Sequence, residues 1–126
     1  MASPADCLYS NSHEWHKVAG DTVTVGITRY AVDALTDVTY VVIKPVGTKV
    51  ESGKSIGEVE SVKTTSDIYC AASGEITEIN KAVVDDPSKL NADPFANWLC
   101  KVKISDKGKL GELLNAADYD KQYPAH

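Results

Sequence analysis

Gly57-Glu58-Val59-Glu60-Ser61-Val62-Lys63-Thr64-Thr65-Ser66-Asp67-Ile68-Tyr69 is the stretch on which the reading of this chain turns. Two strand-like runs, 55–62 and 66–71, meet in it at a short polar turn. Lys63, Thr64 and Thr65 sit between them, so the pattern predicts a hairpin with a lysine at its tip. Turns carried on a rigid sheet are where function concentrates. The tip lacks Asn-Gly or Asp-Gly, the strongest short-range hairpin signal. Alternation is mixed as well, since Glu58 and Glu60 share a phase with Ile56 and Val62. On pattern alone, a lysine between strands reads as a solvated surface charge. The sharper alternative is an attachment point. An acylated lysine loses its charge and carries a new group at the end of a long flexible stem.

The chain has 126 residues, the size of one ordinary domain, and is read as a single unit over 1–126 with a flexible lead over 1–8. It is 43% hydrophobic, enough for a core, and 25% charged, as soluble domains are. A net charge of −5 argues against nucleic acid, because phosphate binding needs clustered Lys and Arg. No run approaches the roughly 18 apolar residues of a membrane span. Met1 to Asp6 has neither the basic and apolar regions of a secretory signal nor an Arg-rich transit pattern. The expected compartment is a bacterial cytoplasm, or the mitochondrial matrix if a transit peptide precedes this sequence. Cys7, Cys70 and Cys100 form no CxxC, which fits unpaired thiols in a reducing compartment. Cys70 and Cys100 fall in strand-like runs and read as small core hydrophobes. His13 and His16 have no third ligand at metal-site spacing, with His126 at the far end, so they read as surface or packing residues.

Along the chain, the Ser/Asn cluster of 10–12 is a turn, and His13-Glu14-Trp15 suggests a fixed edge. Residues 21–28 alternate as a strand with Val23, Val25 and Ile27 on one face. Thr28 reads as the N-cap of a helix over 29–35. Residues 38–43 are nearly continuous in apolar character, which predicts a central strand. Short strands are expected over 48–51, 75–80 and 98–104, and a helical turn over 82–86 stopped by Pro87. Residues 91–97 read as a structured loop. Leu110, Leu113 and Leu114 form a helical stripe, followed by a second short helix over 116–122. Short strands with regular turn punctuation give a mainly β chain, a flattened barrel or sandwich with peripheral helices.

The residues Glu60-Ser61-Val62-Lys63-Thr64-Thr65-Ser66-Asp67-Ile68-Tyr69, followed by Ser73-Gly74-Glu75-Ile76, resemble the lipoyl-lysine hairpin of the glycine cleavage system H protein family. The resemblance runs over roughly 9–119. It includes His13-Glu14-Trp15, Val25-Gly26-Ile27-Thr28, Tyr30-Ala31, Asp37-Val38, Val46-Gly47-Thr48, Asn91, Asp93-Pro94 and Trp98 in order. Two positions depart from it: Thr36 and Asn97 stand where the family usually has glycine. The resemblance implies the barrel-sandwich fold of lipoyl and biotinyl carriers. It implies lipoate in amide linkage on Lys63, with Glu60 and Gly74 helping lipoylating enzymes to recognise the acceptor.

The function so implied is that of a non-catalytic carrier. It moves the aminomethyl group of glycine from glycine decarboxylase (the P protein) to aminomethyltransferase (the T protein). Electrons pass to dihydrolipoyl dehydrogenase (the L protein). A lipoate ligase or lipoyl transferase is a further partner, and no oligomer is expected. Tethering raises the local concentration of a reactive group at each partner, and dithiol and disulfide exchange readily. The loaded arm ends in an amine, and Glu14 and Asp67 are the carboxylates expected to dock it. Other readings are a lipoyl relay passing lipoate to other acceptors, a biotinyl domain and a 2-oxo-acid dehydrogenase lipoyl domain. The biotinyl reading lacks the methionines that usually flank its lysine. A free-standing enzyme is disfavoured by the lack of a nucleophile–base or metal constellation.

Overall fold

The computed structural model describes residues 3–124. Residues 1–2 of the expected lead, and His126, lie outside the described residues. Two antiparallel sheets face each other. The larger runs in the order β1 (Leu8–Tyr9), β2 (Glu14–Ala19), β3 (Thr22–Ile27), β9 (Cys100–Asp106), β8 (Ser73–Ile79), β5 (Lys49–Val50). The smaller has β4 (Val38–Ile43), β6 (Ser55–Ser61) and β7 (Thr65–Tyr69), with β6 in the middle. Short helices α1 (Arg29–Leu35), α2 (Lys81–Asp85), α3 (Ser88–Ala92) and α4 (Ala116–Gln122) lie around them. This is the mainly β sandwich expected from the sequence.

The core lies between the inner faces. Val23 and Val25 on β3 and Cys100 and Val102 on β9 pack in one cluster with Val41, Val59 and Ile68 of the smaller sheet. Cys70 and Cys100 are fully buried free thiols in that cluster. Burial pushes the Cys100 thiol up to about 12 and the Cys70 thiol up to about 11, so both behave as apolar side chains.

Local signals placed several elements directly. Thr28 accepts a hydrogen bond from the Ala31 amide and caps α1. Asn115 does the same for α4 through the Asp118 amide. Trp15 lies against Gly26, where a Cβ would come within 2.4 Å of its ring, and its indole donates to the Pro94 carbonyl. Asn91 accepts from the Val38 amide and donates to the Thr36 carbonyl, tying the link between α1 and β4 to α3.

Other expectations need correction. Residues 3–8 of the expected flexible lead are held: Ser3 bonds Asp120, Tyr9 bonds the Pro4 carbonyl and Cys7 is buried. Part of the expected loop 91–97 is helix, since α3 ends at Ala92. The 110–114 stripe gives only a 3-10 turn, Leu110–Glu112, rather than a helix. Its spacing is helical, but Leu114 exchanges both backbone hydrogen bonds with Tyr9 as an isolated bridge. The strand over 38–43 has the expected bounds, yet it is an edge strand, with Tyr40 and Val42 facing solvent.

Thr36 closes α1 with φ 66 and ψ −122, a region that a β-branched residue enters at a cost. Its hydroxyl donates to the Leu35 carbonyl, a partial compensation. Thr36→Gly should therefore stabilise the fold by about 1 kcal/mol after the entropic disadvantage of glycine is subtracted. Thermal melts of both proteins check this, with the variant melting several degrees higher.

Candidate functional site

The β6–β7 turn is held by Ser61. Its amide donates to the Thr64 carbonyl at 2.8 Å. Its hydroxyl accepts from the Lys63 and Thr64 amides, both at 3.3 Å. Neither Val62 nor Lys63 has positive φ, so the turn is closed without the glycine that a primed hairpin turn requires. Lys63 is exposed, as are Val62, Thr64 and Thr65 on either side. Among the described residues no hydrogen bond or ion pair holds its amine. The result is a cationic stem standing free on a backbone that is fixed.

Glu60 lies across from Tyr40 on β4 and Thr65 on β7. Gly74 belongs to the other sheet, where β8 passes so close to β9 that a Cβ would sit 1.9 Å from the Lys103 carbonyl oxygen. Backbone contact alone therefore demands glycine at 74.

Glu14 is 1% exposed, on the inward face of β2. Oε1 accepts from the hydroxyls of Ser10 and Ser12, and Oε2 accepts from the Tyr69 amide at 3.2 Å. Burial pushes its carboxyl above the usual carboxylate range, and those hydrogen bonds pull the other way. It forms one wall of an open cleft of about 560 Å³, with Ser10, Ser12 and Tyr69 beside it and Lys109 and Glu112 also lining it. Asp67 is exposed and is not among the lining residues. Its carboxylate accepts from the Ser55 hydroxyl at 3.2 Å and from the Tyr69 hydroxyl at 3.5 Å. Tyr69 thus meets both acids, Glu14 through its amide and Asp67 through its hydroxyl. β7 runs from the lysine turn at one end to the cleft at the other.

Three contributors were given no role at this site from sequence: Ser61, Tyr69 and His16, the last read only as a surface or packing residue. His16 is buried, and its Nε2 accepts from the Ala71 amide at 3.1 Å. Its Nδ1 has no hydrogen-bond partner among the described residues. Residues 14 and 16 share a phase, which on a strand puts both on one face. Reading 14–19 as a strand would have paired them.

Burial lowers the His16 imidazole to about 4, the nearby Leu8 and Glu14 carbonyls opposing this weakly. The unfolded chain therefore binds a proton here that the folded chain refuses. Stability from His16 is complete above about pH 6.5 and is lost as the pH falls toward about 4, a total of about 3 kcal/mol. Glu14 works in the opposite sense, since a raised carboxyl favours the folded state on protonation. His16→Gln keeps an acceptor for Ala71 and removes the titration. Its melting temperature should fall less than that of the parent between about pH 7 and about pH 4.5. Parallel losses would exclude His16 as the group responsible.

Residues 7–126 match the family model described as glycine cleavage H-protein. A glycine cleavage system H protein of Thermus thermophilus is 49% identical over 120 residues, 94% of this chain and 94% of the relative. Glycine cleavage system H protein 1 of Caldanaerobacter subterraneus subsp. tengcongensis is 43% identical over 116 residues, covering 92% of this chain and 93% of its own. The crystal structure of a glycine cleavage system H protein from Mycobacterium marinum superposes with a TM-score of 0.88 at 45% identity, covering 95% of this chain and 98% of that one.

Proposed function

The chain belongs to the glycine cleavage H-protein family, and from that premise we propose that it is a lipoyl carrier whose acceptor is Lys63. The observation that carries this is an exposed, unpartnered amine on a turn that Ser61 fixes. Those surroundings suit an acyl group: nothing must be displaced from the amine, and the flanking side chains leave it open. Amide formation removes a charge that no neighbour uses. When bound, lipoate supplies a disulfide that accepts the aminomethyl group of glycine and, as a dithiol, returns electrons.

The chain's own residues then do three things. Lys63 provides reach, the β6–β7 turn provides a fixed root, and the cleft beside Glu14 provides a place of rest. Glu14 offers its carboxylate to a protonated amine, and the Ser10 and Ser12 hydroxyls orient it. The cleft wall limits the approach of water. Asp67 acts from outside the cleft through the Tyr69 hydroxyl. Glu60 and Gly74 serve recognition by the lipoylating enzyme, Gly74 by keeping β8 against β9. The partners are the P, T and L proteins together with a lipoate ligase or transferase, and the reaction steps occur on them. The carrier works alongside those enzymes in a reducing, aqueous compartment.

Intact-mass and peptide mapping after exposure to a lipoate ligase, ATP and lipoate test the acceptor. A single lipoyl-sized increment at Lys63 is expected, and none in Lys63→Arg. The same variant should reduce glycine turnover to background when P, T and L proteins are supplied. A lipoylated parent that supports no turnover would point to lipoyl relay instead.

The docking roles have a separate test, the lifetime of the loaded aminomethyl group in water. Glu14→Ala should shorten it severalfold, Glu14→Gln should shorten it less, and Asp67→Ala should have a smaller effect than Glu14→Ala. Unchanged lifetimes in the Ala variants would remove both residues from the docking site.

A further inference from the structure

The edge strand β4 leaves apolar surface in the open. Among the described residues, the exposed large hydrophobic side chains are Val18, Tyr40, Val42, Val46 and Val62. All but Val18 lie on the smaller sheet or next to its ends. Strand register sorts them. Tyr40 faces Glu60, which faces Thr65; Val42 faces Glu58, which faces Asp67. Residues directly opposed across a ladder project to the same side. The intervening rung, Val41 with Val59, is 0% and 2% exposed and points into the core. The outward face therefore carries two rungs that each begin with a hydrophobe beside a glutamate. Tyr40 is 52% exposed and Val42 40%, and Val62, next to Lys63 in the turn, reaches 83%.

The same face is acidic. No ion pair within 4.0 Å neutralises Glu58, Glu60 or Asp67 among the described residues. Asp67 has only hydroxyl partners among them, Ser55 and Tyr69. Lys63 is the cation at the turn, and Lys44 lies past the other end of β4. An apolar strip flanked along one side by unpaired acids suits a partner that offers apolar surface beside basic side chains.

We propose that Tyr40 and Val42 on the edge strand and Val62 in the turn, with Glu58, Glu60 and Asp67 beside them on β6 and β7, form the surface on which the enzyme that acylates Lys63 docks. Such an enzyme would offer an apolar patch with Arg and Lys along one side of it. The proposal rests on Lys63 being the acceptor. Proximity to the acceptor nitrogen favours this partner. An enzyme acting on the far end of an arm does its chemistry an arm's length from that nitrogen. The enzyme that makes the amide must bring its reacting carbon within about 3 Å of the lysine nitrogen before the bond forms. In that step the neutral amine attacks the carbonyl carbon of the mixed acyl–phosphate anhydride that the ligase makes from lipoate and ATP. A C–N bond forms, the acyl–oxygen bond breaks, the nucleoside monophosphate leaves with the bonding electrons, and the amine's proton goes to water. The footprint of such an enzyme has to cover the turn and the strands that root it.

The test measures kcat/KM for acylation by a lipoate–protein ligase, with ATP and lipoate, on the full chain. Tyr40→Ser and Val62→Ser should each lower it about tenfold, mainly through KM. Glu58→Lys should lower it and weaken its dependence on salt. Val18→Ser, an equal truncation away from the face, should stay within about twofold of the parent. Melting temperatures verify that each variant is folded under assay conditions. Equal kcat/KM across the set would overturn the docking face and leave Lys63 as the acceptor. Equal losses in Val18→Ser would overturn it as well. A parent that is never acylated would remove the reading of Lys63 on which the proposal stands.

Discussion

An edge strand presents backbone amides that must bond to something, and in this protein side chains from the opposite sheet supply the acceptors. β7 has β6 on one side and no strand on the other among the described residues. At the end of β7 the Tyr69 amide donates to Glu14, and just beyond it the Ala71 amide donates to His16. Both acceptors project from one face of β2. The sandwich is thus joined at this end by side-chain to main-chain hydrogen bonds as well as by apolar contact. The strand so fastened leads to the lysine turn, so the root of the proposed attachment point is tied to the larger sheet through two buried polar groups. Buried acceptors of this kind are expensive to leave unmatched, which makes the join specific in register.

This join also explains what was readable in the sequence and what was not. Helix α1 and its Thr28 cap, the bounds of β4 and the span of α4 follow from local chemistry, and each was legible. The candidate attachment lysine was legible because its turn lies within one short stretch. β2 was not. Its inward positions include Glu14 and His16, so the hydropathy alternation that announces a strand is inverted there. Glu14 Oε2 and His16 Nε2 accept from amides 55 positions away. No window along the chain contains both partners. Ser61 was missed for a different reason: its partners at 63 and 64 are local, but a serine there reads only as a polar neighbour. Asp67 was legible as an acid near the lysine, but sequence did not show that Tyr69 stands between it and the cleft.

β4 was misjudged for a related reason. A continuous apolar run normally means that both faces are covered. Here one face packs into the core through Val41, and the other, with Tyr40 and Val42, meets water. Hydropathy reports that a surface prefers to be covered, without saying whether the cover belongs to the same chain. Exposed apolar edges invite aggregation, and folded proteins blunt them with charge. Glu58 and Glu60 stand beside the exposed pair in register and serve that purpose.

A carrier must satisfy two opposed demands, because its reactive group has to travel while the protein surface that partners recognise has to stay in place. The division seen here meets both with little machinery. On the proposed reading, the motion that transfer needs falls to the exposed side chain of Lys63 and the group it would carry. Everything beneath it is hydrogen-bonded ladder: β6 between β4 and β7, the turn closed by Ser61, the far end of β7 held by Glu14 and His16. A longer or glycine-rich turn would add conformations at the root of the arm, and the entropy of those conformations would have to be removed each time a partner engaged it. A short turn without positive φ, braced by a hydroxyl, places the flexibility in the side chain, where motion serves transfer, and keeps it out of the backbone, where motion would blur recognition.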